Sequence, residues 1–235
     1  MDEGFGNVLS ELADHRGQHL VWQRDSLQRA LQIFFRHTDS FVVFLDEIRQ
    51  QLSAGEGESL REEYNDEFLV KSHDYFSAAY GLFSKAQSFQ SRWYCDCDNE
   101  RCKPGRCELF EPYLDTLRES GLAERGNYIN SIRVMTQKIQ TPCLLTQTKY
   151  NFFSLESETG VVIHRQELLD WVEHDNRKPA VEYLKERDGQ YLDLRKEVRQ
   201  YNECVEEFYG WLFADVEEKY AHLLRDRRQI ISEYA

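Results

Sequence analysis

Between Gly17 and Gly55 the chain has neither proline nor glycine, and all 235 residues contain only four prolines, Pro104, Pro112, Pro142 and Pro179. Breakers this sparse favour long uninterrupted helices. Basic residues are also in short supply, with 29 Lys and Arg against 42 Asp and Glu and a net charge of −13. Such a field repels phosphate, which argues against general affinity for nucleic acid or an anionic membrane surface. No stretch approaches the ~18 apolar residues that a spanning helix needs. Met1-Asp2-Glu3-Gly4-Phe5-Gly6 begins acidic with no apolar run behind it, unlike a secretory signal. Asn-x-Ser/Thr acceptors are missing as well. The expectation is a soluble cytoplasmic protein, in which six cysteines read better as thiols or metal ligands than as disulfides.

Familiar catalytic markers are absent too. No histidine has a glutamate three residues before it, as di-iron bundles require. Glycine-rich phosphate loops, Gly-x-Ser-x-Gly and His-Glu-x-x-His do not occur.

What is present is helical periodicity. Leu20, Leu27, Leu31, Phe34, Phe41, Leu45, Ile48 and Leu52 recur at steps built from three and four, interrupted by Arg24 and Thr38. Such a stripe is the coiled-coil-like seam of a helix packing lengthwise on another. Ser53 to Glu58, with two glycines, reads as a tight connection. A second helix follows a Ser59-x-x-Glu62 capping box, with Leu60, Tyr64, Phe68, Phe76, Tyr80, Phe83, Phe89 and Trp93 as its apolar side. Joined by a short loop, the two must run antiparallel.

Further on, residues 109–122 read as a short helix entered at Pro112 and stopped at Gly121, and 122–139 as another ended by Thr141-Pro142. Tyr150–Phe153 and Val161–Ile163, separated by residues 156–160, suggest a small β-hairpin, with an irregular crossover as the alternative. A short helix at 164–174 and another opening at Asn176-Arg177-Lys178-Pro179 come next. Leu194, Val198, Tyr201, Val205, Phe208, Leu212, Val216, Tyr220 and Leu223 then mark a closing long helix or helix pair. Gly210 within it suggests close approach to Trp93 or Trp211. The fold class expected is all-α. It is one bundle of long antiparallel helices: a hairpin over about 18–94, a cysteine-rich turn at 95–107 and a second helical section at 108–235.

That turn carries Cys95, Cys97, Cys102 and Cys107, four thiols within thirteen residues, on a segment whose Asp, Asn, Pro and Gly can bend around an ion. Four thiolates around Zn²⁺ would fasten the turn between helices. One or two disulfides, or unbound thiols, are the other readings. Cys143 and His73 are substitutes for one ligand, and Cys204, inside a helical pattern, reads as a small buried apolar residue. The segment Cys95-Asp96-Cys97-Asp98-Asn99-Glu100-Arg101-Cys102 resembles the Cys-x-Cys-x4-Cys zinc segment that follows the catalytic domain of SET-type lysine methyltransferases. The resemblance covers eight residues and implies metal-binding capacity alone, since the methyl-donor motifs and strand-rich pattern of that family are missing.

Two smaller constellations complete the reading. His15 and His19, at i and i+4, would share a helix face able to hold a metal, although Gly17 weakens a helix there. Arg225, Arg227 and Arg228 read as cations in the last turns of a helix, complementing its dipole. The chain resembles the HEPN ribonucleases in fold type only, because no Arg-x4–6-His pair occurs, Arg29 to His37 being too long. The expected function is a non-enzymatic protein-interaction or assembly module with structural zinc in its cysteine turn, its partner another protein or a second copy. The alternatives are a HEPN-like or metal-dependent ribonuclease and a cysteine-based redox switch.

Overall fold

A computed structural model describes residues 10–54, 65–95, 107–139, 144–151, 156–174 and 178–233. Helix α1 (Arg16–Ser53) runs 38 residues without a break, about 57 Å at 1.5 Å per residue. His15 caps it, its Nδ1 accepting from the Gly17 N–H at 3.1 Å. Leu20, Leu27, Phe34, Phe41, Leu45 and Ile48 are buried as the periodicity requires, and Phe44 joins them, while Leu31 and Leu52 are partly covered. Thr38 does not break the seam. It is buried, and its hydroxyl donates to the Phe34 carbonyl at 3.0 Å within the helix, so no polar group is stranded.

Helix α2 (Asn65–Trp93) packs along α1. Phe41 stacks on Tyr75 at 5.3 Å and also meets Phe68 at 5.8 Å, contacts each worth about 0.5–1.5 kcal/mol beyond burial. The inner face of α2 follows Phe68, Ser72, Tyr75, Ala79, Leu82, Ala86, Phe89 and Trp93. This corrects two positions of the expected stripe, for Tyr80 and Phe83 are 43% and 45% exposed. Ring size was the wrong guide, because small Ala79 and Ala86 occupy the turns that face the core. Leu60, Tyr64 and the Ser59/Glu62 capping box lie outside the described residues.

Helices α3 (Glu111–Glu119) and α4 (Leu122–Ile139) match the expected pair. Pro112 enters α3 in its first turn, and Gly121 separates the two at φ 69°, a conformation that glycine adopts without a Cβ clash. Strands β1 (Leu144–Asn151) and β2 (Glu156–His164) form the hairpin, pairing Gln147 with Gly160 and Leu144 with Ile163. Residues 156–160, expected as its connection, therefore belong to the second strand. Beyond helices α5 (Arg165–His174) and α6 (Lys178–Lys185), a three-residue strand β3 (Tyr191–Asp193) adds antiparallel to the other edge of β2.

Helix α7 (Leu194–Lys219) is capped by Asp193, which accepts from the Lys196 N–H. It buries Leu194, Val198, Tyr201, Val205, Phe208, Leu212 and Val216 as its periodicity requires. Helix α8 (Ala221–Glu233) lies against α1 and α7. Arg225, Arg227 and Arg228 fall in the middle of α8 instead of its last turn, and Arg227 Nε donates to Gln18 Oε1 at 2.6 Å, so they are not dipole partners. Buried side chains from Leu20 to Val216 form one cluster between these layers. No described helix is long and apolar enough to cross a membrane.

Two glycines behave oppositely. A Cβ at Gly17 would stand 2.3 Å from the Leu223 carbonyl oxygen, so this glycine lets α1 and α8 touch. At Gly210 a Cβ meets nothing within 4 Å, so the expected close approach does not exist. Gly17→Ala is expected to lose about 1–3 kcal/mol by overpacking, whereas Gly210→Ala should gain about 1 kcal/mol from helix propensity. Denaturant melts of both variants check this, and equal signs would refute it.

Candidate functional site

The cysteine turn leaves and re-enters the bundle through a heavily fastened mouth. Trp93 ends α2 with its Nε1 donating to Gln23 Oε1 at 2.6 Å, while the Tyr220 hydroxyl donates to the Trp93 carbonyl. Tyr94, fully buried, donates its hydroxyl to Asp215 Oδ2 at 2.5 Å, and the Lys219 ammonium stands 4.5 Å from its ring centre and 3.6 Å from Asp215. Burial above all, with the bond to Asp215 adding to it, pushes the Tyr94 hydroxyl pKa far up, so it stays a neutral donor. On the return side, Cys107 is buried and its Sγ lies 3.7 Å from the Tyr94 carbonyl oxygen. Phe110 and Tyr113 continue this wall with stacked rings, Tyr113 meeting Tyr94 at 5.2 Å.

Of the four predicted ligands, Cys95 stands half-buried at this mouth and Cys107 beside it, while Cys97 and Cys102 lie outside the described residues. Thiolates are preferred zinc ligands, and Cys95 and Cys107, the two of the set among the described residues, stand at the two ends of the turn. Binding would require Cys107 to surrender the proton it shares with the Tyr94 carbonyl. Among the described residues no three metal-ligating side chains cluster. His73 is unsuited as a substitute, because it sits on α2 about 30 Å of helix rise before Trp93, beside Asp74 on the surface. Cys143 is outside the described residues. Cys204 is half-buried on α7, and burial raises its thiol pKa, in keeping with an inert packing role.

The His15/His19 pair is separated by the cap. His15 precedes the helix with its Nδ1 occupied by Gly17, whereas His19 turns its ring edge-on to Trp22 at 5.6 Å. The Nδ1 of His15 is thus engaged as the helix cap.

A polar centre that periodicity did not reveal lies between α4, α6 and α7. Glu197 is 5% exposed and accepts the Tyr183 hydroxyl through Oε2. Arg125 Nη1 donates to Tyr183 Oη at 3.0 Å and to Gln200 Oε1 at 2.9 Å, and stands 3.8 Å from Glu197. Arg187 Nη2 also donates to Tyr183 Oη at 2.6 Å, with its guanidinium 4.5 Å from the ring centre. Burial, then the Glu197 charge, raises the Tyr183 pKa, which keeps the phenol protonated as Glu197 needs it. The Tyr128 ring lies 4.8 Å from that of Tyr183, tilted against it, yet neither its hydroxyl nor that of Tyr75 finds a partner among the described residues. The available signal was Glu197 itself, a carboxylate placed between Leu194 and Tyr201 on the inner seam of α7.

A cavity of about 270 Å³ opens between α2, α3, α4 and α7, walled by Phe83, Phe110, Tyr113, Phe208 and Tyr209 with Gln87, Gln90 and Asn127. Among the described residues no carboxylate, histidine, cysteine or cation lines it. A smaller space of about 30 Å³ adjoins it through Phe83, Gly126, Asn127 and Tyr201. No family model, curated protein or solved structure matches this chain.

The polar centre makes a paired prediction. Tyr183→Phe removes a hydroxyl engaged by Glu197, Arg125 and Arg187 and should cost about 1–3 kcal/mol. Tyr128→Phe removes an unpartnered one and should be neutral or stabilising by about 1 kcal/mol. Equilibrium unfolding of both checks the assignment, and a costlier Tyr128→Phe would reverse it.

Proposed function

We propose that this chain is a non-enzymatic helical interaction or assembly module whose cysteine turn carries a structural zinc ion. The observation that carries the assembly reading is where apolar surface remains. Of the seven large apolar side chains most exposed among the described residues, Trp22, Ile33 and Val43 lie on α1 and Val70, Tyr80 and Phe83 on α2, with only Ile231 elsewhere. The interhelical seam already has its own core, so these residues are surplus to folding the bundle. Val43 and Val70 lie near the seam that Lys71 Nζ and Ser40 Oγ close at 3.0 Å, at the end of the hairpin where Phe41 meets Phe68. Exposed apolar residues concentrated on one element support a contact surface. A second copy is the simplest partner, through a self-complementary face.

The zinc part rests on the mouth of the turn. Tyr94 and Cys107 hold its ends together, so metal bound by Cys95, Cys97, Cys102 and Cys107 would close a segment already tethered at its base. Zinc would supply a fixed tetrahedral knot and no chemistry of its own.

Sedimentation over a wide concentration range, with elemental analysis of the same samples, tests both parts. The wild-type chain should self-associate with about one zinc per chain, a stoichiometry set by a four-thiolate site. Val43→Glu with Val70→Glu should keep the helix content and weaken association at least ~10-fold, about 1.4 kcal/mol. Cys95→Ser should lose the metal. A wild-type monomer at every concentration would refute assembly, and metal-free protein with four reactive thiols would refute the knot.

A further inference from the structure

We propose that the cavity between α2, α3, α4 and α7 is a binding site for an uncharged aromatic molecule of about two fused rings carrying a hydrogen-bond acceptor. Small residues are part of its lining: Ala86 on α2 and Ala123 and Gly126 on α4. The space, about 270 Å³, is a recess that opens to solvent past Phe83, Gln87 and Asn127, which gives a ligand a way in. An apolar cavity of about 150 Å³ accepts benzene. The larger volume therefore suits two rings.

The walls set the chemistry. Ring side chains supply flat apolar faces, and the polar wall groups are neutral amides and phenols. A charged ligand seated there would lose part of its hydration with no counter-charge among the lining residues. Tyr201 supplies the decisive group. It is 4% exposed, it lines the cavity, and a Cβ on neighbouring Gly126 would lie 4.0 Å from its hydroxyl oxygen. Its ring is held edge-on by Phe34 at 5.7 Å, which fixes where the hydroxyl stands. Burial, first, and the nearby Cys204 raise its pKa, so it is a neutral donor at any physiological pH. A ligand carbonyl would accept a hydrogen bond from it.

Phe83 belongs to both the exposed hairpin face and the cavity wall, but Val43 and Val70, which test assembly, do not line the cavity, and neither does any cysteine, so the two proposals fail separately. Fluorescence titration with the neutral naphthyl ketone dye prodan tests it on the full chain. The wild-type protein should shift the dye emission to the blue with saturable one-to-one binding, and anionic anilinonaphthalene sulfonate should bind at least ~10-fold more weakly. Tyr201→Phe should weaken prodan binding ~10-fold, the loss of one good hydrogen bond. Ala123→Leu, which fills the space, should abolish it. Gly126→Ala, whose new methyl meets nothing closer than 4.0 Å, should fold normally and bind several-fold more weakly. The proposal is overturned if prodan shows no saturable shift, if Tyr201→Phe and Gly126→Ala bind as the wild type does, or if the anionic dye binds as tightly.

Discussion

Phe34 is where three long helices agree on their positions. Fully buried on α1, its ring meets Tyr75 of α2 at 6.0 Å and Tyr201 of α7 at 5.7 Å, the second edge-on. A helical hairpin with one apolar seam can slide or rotate about its partner. A third helix whose ring enters the same contact fixes both the register of the hairpin and the face it turns to the rest of the chain. The sheet and the short helices are arranged around that junction, with β2 lying against both α1 and α7.

Helix α7 is also the common support of both polar features. Near its N-terminal end, Glu197 gathers Tyr183 and Arg125, and Arg187 joins through Tyr183. Near its C-terminal end, Asp215 and Lys219 hold Tyr94, while Tyr220 just beyond it holds Trp93. The cysteine turn is thus fastened by the same rod that orders the core, and Phe208 and Tyr209 midway along it form one wall of the cavity. Buried polar groups of this kind are costly unless paired, and the partners of Glu197 and Asp215 tie α7 to specific neighbours.

The long helices were legible because their determinants are local: absence of breakers and a three-and-four stepping of bulky residues. What could not be read was which residue of an aromatic-rich helix faces inward. Phe83 and Ala86 differ by less than a full turn, and only the position of α4 and α7 makes the alanine the inner one. Strand β3 is three residues long and exists because β2 offers it an edge, a tertiary cause with no local trace. Gly17 and Gly210 look alike in sequence, and the Leu223 carbonyl, 206 residues further along than Gly17, distinguishes them. For the site, cysteine spacing marked the turn, whereas the partners of Tyr94, the Glu197 centre and the cavity all come from residues far apart in the chain.

The claim on which the architecture depends is that the hairpin and α7 fold as one unit through Phe34. Native-state hydrogen exchange on Phe34→Ala tests it most directly. The variant should lose about 3–5 kcal/mol, the cost of emptying a buried phenylalanine site, with amides of α1, α2 and α7 losing protection together. A loss below about 1 kcal/mol, far under that range, or protection that persists in the hairpin after α7 has opened, would contradict the account.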